Sequence, residues 1–159
     1  MNTETKKTPM LVTAVGGDLA QSAIKCLNDS GYSPYIVGCD MNPYAAGKAL
    51  CDRFYAAPPV RKEQEYRQFV LSLISEYNIP YVFPLSDIEI AYYNRNRETF
   101  DASGACFVTA PAPLIDIFMD KLKTARFFES QNLPSPMTFT QDEYSGQLGF
   151  PLIMKKRTG

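Results

Sequence analysis

From Met10 to Ala110 the chain alternates short apolar, β-branched runs with longer segments whose apolar residues recur at helical spacing. No other feature restricts the fold as much. Strands that are apolar along their length are buried on both faces, and parallel strands need crossovers about as long as these helices. The runs are "MLVTAV" from Met10 to Val15, "YIVGC" ending at Asp40, "FYAAP", "YVFPL" and "CFVTA" before Pro111. Between them, "LAQSAIKCLNDSG" carries Leu19, Ala23, Ile24 and Leu27 near helical spacing, with Gly31 as its closing residue. A second helix is predicted from Glu63 to Tyr77, with Tyr66, Phe69, Val70, Leu73, Ile74 and Tyr77 on one face. A third runs from about Ile88 to Phe100. The expected fold class is α/β, a Rossmann-like, mainly parallel sheet with helices on both faces.

Right-handed crossovers would bring the strand ends "VGG", "CD" and "PLSD" to one edge, and ligands of such sheets sit outside the carboxyl ends of the strands. Gly16 and Gly17 form a strand–glycine–helix junction, read either as turn and packing geometry or as an approach for a ligand. The full G-x-G-x-x-G dinucleotide fingerprint is missing, and Asp18, a candidate N-cap, would repel a pyrophosphate. Asp40 could hold a ribose or cap the following turn. Asp87 and Glu89 follow the fourth strand; Ser86 or Asp87 is a candidate cap, and Glu89 suits the helix dipole. Two positions apart, the two acids point in different directions and do not form a catalytic pair. Tyr92 and Tyr93 with Asn94 to Arg97 read as a helix surface, since no longer basic stripe accompanies them.

After Ala110 the character changes. A short helical segment precedes a helix from about Lys121 to Gln131 carrying Leu122, Ala125, Phe127 and Phe128; Pro134 and Pro136 end it. "MTFT" and "FPLIMK" are expected as two strands of a different unit, which places a boundary near Pro111–Pro113. The division is 1–9 as a flexible N-terminus, 10–110 as the Rossmann-like domain and 111–159 as a linker helix with the beginning of a second domain. Lys155 follows an apolar run, where a fixed ammonium can hold a phosphate or simply end a frayed strand.

Composition excludes several classes. A net charge of −1 gives no global case for nucleic acid or an anionic membrane. No segment approaches the length of a transmembrane helix, and the polar start "MNTETKKTPM" lacks a signal peptide's apolar core, so a cytoplasmic location is expected. Histidine is absent, which removes His-based triads and His-containing zinc sites. Cys26, Cys39, Cys51 and Cys106 lack CxxC spacing and read as isolated small hydrophobes, so no metal site is expected.

The order of these motifs resembles the N-terminal portion of the ATP-grasp superfamily, especially its carbamoyl-phosphate-synthase-like and amino-acid or peptide ligase branches. "MLVTAVGG", the acid after the second strand and "DRFYAAP" are similar to the start of the pre-ATP-grasp domain, and "PYVFPLSDIEI" to its substrate-side strand. "MDKLKTARFFESQNLPSPMTF" resembles the family's entry helix, and "GFPLIMKKRTG" its ATP-contacting strand and following glycine-rich loop. Lys156 departs from the small residue or proline common at that place.

The resemblance implies an incomplete ATP-grasp α+β domain after the Rossmann-like one, in a longer parent polypeptide. Lys121 and Lys155 would bind nucleotide phosphate and Gly159 would open the loop, while Gly16, Gly17, Asp40 and Asp87 would lie on the substrate side. The parent would use ATP and Mg2+ to activate a small-molecule carboxylate as an acylphosphate for attack by an amine or other nucleophile. Its catalytic residues are not identified, and these 159 residues alone are expected to be inactive and to bind no cofactor tightly. Self-association, as a possible homo-oligomer, or disorder is expected after about Pro134. A noncatalytic nucleotide- or metabolite-binding module is the alternative reading, and an NAD(P)-linked oxidoreductase the next.

Overall fold

The computed structural model describes residues 7–32 and 34–158. The chain forms two compact units, Met1–Thr109 and Ala110–Gly159. Residues 1–6 of the expected flexible N-terminus, and Gly159, lie outside the described residues.

The first unit holds a five-stranded sheet. Its strands are β1 (Thr8–Thr13), β2 (Pro34–Asp40), β3 (Arg53–Ala56), β4 (Tyr81–Phe83) and β5 (Cys106–Phe107), in the order β3-β2-β1-β4-β5. Every pairing is parallel, as the α/β reading requires. Helix α1 (Asp18–Asp29) connects β1 to β2, and α2 (Glu63–Tyr77) connects β3 to β4. α3 (Asp87–Arg95) and α4 (Arg97–Asp101) lie between β4 and β5.

Strand periodicity divides the core between the two sheet faces. Met10, Val12 and Ile36 pack with Ala20 and Ile24 of α1. Leu11, Val37 and Val82 pack with Val70, Leu73 and Ile74 of α2 and with Tyr92, Tyr93 and Phe100. Tyr92 and Tyr93 are therefore core residues; the expected helix surface is corrected. Tyr93 and Phe100 meet edge to face, with centroids 4.7 Å apart, which favours the ring quadrupoles.

Two further expectations change and one holds. The helix expected from Ile88 to Phe100 breaks at Asn96, whose side-chain amide donates to the Tyr92 carbonyl and competes with the backbone ladder. Leu19 is 69% exposed, because α1 turns Ala20 and Ile24 to the sheet. Gly31 has φ +77 and follows the Ser30 cap, as a closing glycine should.

In the second unit, α5 (Ala112–Phe118) and α6 (Lys121–Ser130) form a helical hairpin in which Phe118 packs edge-on against Phe127 and Phe128. The strands expected at "MTFT" and "FPLIMK" do not form; the sole pairing among the described residues here is a bridge between Asp120 and Thr158. A strand needs a neighbour for its backbone groups, and the described residues of this unit supply none to those segments. Phe150, Ile153 and Met154 are correspondingly exposed. Among the described residues no helix is long and apolar enough to cross a membrane.

Candidate functional site

The sheet order reverses between β1 and β4, so the crevice at their carboxyl ends is the topological switch point. The turn after β1 enters it through Ala14, a non-glycine residue at φ +53, and closes with Gly17 N–H donating to the Ala14 carbonyl at 3.0 Å. Neither Gly16 nor Gly17 supplies the left-handed conformation. Gly16 supplies room instead: a Cβ there would stand 2.9 Å from Asp40 Oδ2. The gap is filled by a hydrogen bond, Gly16 N–H to Asp40 Oδ2 at 2.8 Å.

Asp40 thus joins two tips. Its other oxygen, Oδ1, accepts from Asn42 N–H at 2.8 Å, so the carboxylate holds the glycine turn on one side and caps its own turn on the other. The following 3₁₀ turn, Ala46–Leu50, packs beneath, and a Cβ on Gly47 would come within 1.9 Å of the Val15 carbonyl oxygen. Gly16 and Asp40 are in direct contact, and Gly17 is the N-cap residue of α1. Asp18 is not the cap; it occupies the first helical position, and its carboxylate accepts from Leu19 N–H.

At the tip of β4, Ser86 caps α3, its hydroxyl accepting from Glu89 N–H at 3.4 Å. Asp87 is exposed, next along the chain from that cap. Glu89, by contrast, is 6% exposed. Its Oε2 accepts from Thr13 Oγ1 and from Ser86 Oγ, each at 2.7 Å, and its Oε1 accepts from Tyr66 OH at 2.7 Å. Tyr66 OH also lies 3.0 Å from Tyr93 OH. Burial, then the neighbouring Tyr93 and Glu89, pushes the Tyr66 hydroxyl far above its ordinary range; burial and Glu89 do the same for Tyr93. Both phenols stay protonated donors. The S-x-x-E spacing of Ser86 and Glu89 is a capping-box pattern and could have drawn attention to this acid. Sequence periodicity gave no sign that its side chain would turn inward.

The cysteines add no second centre. Burial pushes the Cys39 thiol up, with Glu89 and Asp40 adding to it; burial and then Asp52 raise Cys51 to about 11. Both are held as thiols. Among the described residues there is no group of three or more Cys, Asp or Glu side chains arranged to hold a metal.

In the second unit Asp120 caps α6, its Oδ1 accepting from Leu122 N–H at 3.0 Å and Lys123 N–H at 3.1 Å. Arg157 Nε donates to Asp120 Oδ2 at 2.7 Å, and the Arg157 carbonyl accepts from Lys121 N–H at 3.0 Å. The basic run 155–157 is therefore anchored beside the first turn of α6. Lys121 and Lys155 are exposed, and their ammonium groups have no partner among the described residues. Arg157, which no motif singled out, is the residue that joins these two segments.

Comparisons with known proteins agree with this architecture. No curated protein matches the chain. Among solved structures it is similar to N5-carboxyaminoimidazole ribonucleotide synthetase from Thermotoga maritima, with a TM-score of 0.63 and 14% identity over 96% of this chain and 39% of that one. It is also similar to the biotin carboxylase domain of the Hydrogenobacter thermophilus 2-oxoglutarate carboxylase, in complex with MgADP, ADP and bicarbonate. That likeness has a TM-score of 0.56 and 15% identity over 80% of this chain and 28% of that one. The N5-carboxyaminoimidazole synthetase from Staphylococcus aureus complexed with ADP gives 0.55 and 10% identity over 77% and 30%. The chain spans less than two-fifths of the length of each of these. The model of the "PylC-like, N-terminal domain" family matches residues 10–108. The resemblance to the N-terminal part of ATP-grasp ligases thus agrees with both the family and the fold. Matched over more than half of its length, the chain belongs to the PylC-like N-terminal domain family.

Proposed function

We propose that this chain is the N-terminal part of an ATP-dependent, ATP-grasp-type ligase. In that reading the parent activates a small-molecule carboxylate as an acylphosphate, which an amine or other nucleophile then attacks. The observation that supports it best is the succession of parts: a parallel sheet with polar tips at its switch point, then a lysine-bearing helix to which a second basic segment is anchored. The neighbours named above that carry ADP or MgADP in their complexes point the same way.

The chemistry of the donor set fits a nucleotide phosphate. Lys121 and Lys155 are exposed cations whose ammonium groups have no partner among the described residues, and Asp120, the chain neighbour of Lys121, has its charge met by Arg157. As phosphate clamps they would offset negative charge and orient the transferred group; neither is placed as a general base. Gly159 would begin the loop over the phosphates. Magnesium would further offset the charge of the phosphates, and its protein ligands are assigned to the rest of the parent. Gly16, Gly17, Asp40 and Asp87 are assigned to the substrate side, and residues 10–110 and 111–159 to the two domains. A carbamoyl-phosphate-synthase-like ancestry, a cytoplasmic location and a homo-oligomeric parent complete the proposal; no nucleic acid or membrane partner is included.

One observation favours a second reading, a noncatalytic metabolite-binding module. The tips of the first unit are tied to one another within that unit, whereas Lys155 lies on an exposed segment without regular secondary structure. Calorimetric titration separates the two. The ligase reading expects Mg·ATP binding by the longer polypeptide, weakened roughly ten-fold or more by Lys155→Ala. Tight NAD(H) binding by the 159-residue chain would overturn it. Binding of a metabolite but no nucleotide by the longer polypeptide would establish the module.

A further inference from the structure

Glu89 is a buried acid that the proposed chemistry does not use. It lies at the one place in the sheet where β1 and β4, whose connections leave in opposite directions, are neighbours. Strand alternation turns Thr13 to the same face as Leu11, toward α2 and α3, and the Ser86 cap begins α3 from the end of β4. The carboxylate bridges these two tips, and its third partner, Tyr66, ties both to α2.

The hydrogen bonds all run inward. Leu85 N–H donates to Thr13 Oγ1 at 3.4 Å, and Thr13 donates onward to Oε2. Glu89 N–H donates to Ser86 Oγ, and Ser86 donates back to Oε2. Tyr66 spends its single proton on Oε1, which leaves Tyr93 as the donor to Tyr66. Such a chain of donors converging on an acceptor-only group fixes each hydroxyl in one orientation, and removal of the acceptor takes from Thr13, Ser86 and Tyr66 the group to which each donates its proton.

We propose that Glu89 is a positioning residue: its carboxylate, joined to Thr13 and Ser86, sets the distance between the glycine turn after β1 and the first turn of α3. That distance governs how a ligand meets Gly16 and Asp87. The ligand part of this statement rests on the substrate-side reading above; the spacing part does not. Glu89 stands in the first turn of α3, and its carboxylate reaches the turn after β1 through Thr13 and the start of α3 through Ser86.

The test uses amide NMR spectra of the 159-residue chain in four forms: wild type, Glu89→Gln, Thr13→Val and Thr13→Ser. Thr13→Val keeps the side chain's shape and removes the hydroxyl, so it carries the test if the Glu89 variant does not fold. Thr13→Ser restores the hydroxyl. The expected result is displacement of the Gly16, Gly17 and Asp87 amides in Glu89→Gln and Thr13→Val, with near wild-type positions in Thr13→Ser. Lowered stability in Thr13→Val with those amides unmoved, or equal displacement in Thr13→Ser, would overturn the proposal. The spectra are then repeated with a mixture of common amino acids as carboxylate and amine probes. Binding at Gly16 and Asp87 that weakens roughly ten-fold or more in Thr13→Val upholds both readings. Binding that is unchanged there overturns the positioning role and leaves the substrate edge standing. If the wild type binds none of the probes while the ligand-free shifts hold, the spacing role stands and the substrate-edge reading fails.

Discussion

The two units put the same kinds of residue to different uses. In Met1–Thr109, apolar runs become strands because each finds neighbours; Leu11, Val12, Val37 and Val82 are fully buried, and helices cover both faces of their sheet. In Ala110–Gly159, a run of similar character, Phe150 to Met154, finds no strand partner among the described residues and stays largely exposed. Among the described residues, Ile115 and Ala125 are the apolar ones buried there. The lesson is that an apolar run predicts the wish for burial, and a strand forms only where another backbone satisfies its N–H and C=O groups.

The sharpest way to break this contrast is to delete the same kind of side chain in each unit. Leu11→Ala should cost the first unit ~2–5 kcal/mol, read as a lower denaturation midpoint with an unchanged slope. Ile153→Ala in the second unit should change stability by less than about 0.5 kcal/mol. Comparable losses would mean that the second unit's apolar segment is covered in solution.

Gly47→Ala should rank next. The added methyl would meet the Val15 carbonyl, a backbone atom that cannot step aside, and overpacking of this kind costs roughly 1–3 kcal/mol. Gly149→Ala has open space around it and should be near neutral by the same denaturation assay.

Alkali should separate the units as well. The folded pKa values of Tyr66 and Tyr93 lie above those of the unfolded chain, so the stability they contribute is complete below the ordinary tyrosine range and is lost as pH rises past it. Absorbance of ionised tyrosine from these two residues should therefore appear together with unfolding of the first unit. Their smooth titration in a chain that keeps its circular dichroism would contradict this.

The smallest effect concerns Asp120. Desolvation favours its neutral form, but the Lys123 N–H, the Arg157 guanidinium and the Leu122 N–H outweigh that and hold the carboxyl below its ordinary range. Its contribution to capping α6 is present above the ordinary aspartate range and fades as pH falls through the lowered folded value. Asp120→Ala should reduce amide protection at Leu122 and Lys123 and abolish the pH dependence there, leaving the first unit unchanged. Persistence of that pH dependence in the variant would assign it elsewhere.

Much of the first unit was legible in the sequence. α2 begins and ends where its periodicity says, because Tyr66, Val70, Leu73 and Ile74 form a regular stripe and Asn78, at φ 50, accepts the left-handed turn that closes it. β5 was overestimated, since "CFVTA" pairs only through Cys106 and Phe107 before the chain leaves the sheet edge. Of the site residues, Gly16 and Asp40 were expected at one edge and do meet there. Glu89 was read only as an acid suited to the helix dipole, because one-dimensional spacing cannot tell which way the first turn of α3 faces.

Local sequence determined the alternation of elements, the helix faces and the glycine and acid types at the strand ends, since these depend on periods of two and 3.6 residues and on allowed dihedrals. Tertiary structure decided the rest. It set β1 beside β4, so that Thr13 donates a buried hydrogen bond to Glu89, 76 positions away. It drew Arg157 to Asp120 and left Phe150 to Met154 without a strand partner among the described residues. The physical reason is the same in each case: a hydrogen bond or a buried face needs a second surface, and the identity of that surface is a property of the folded chain.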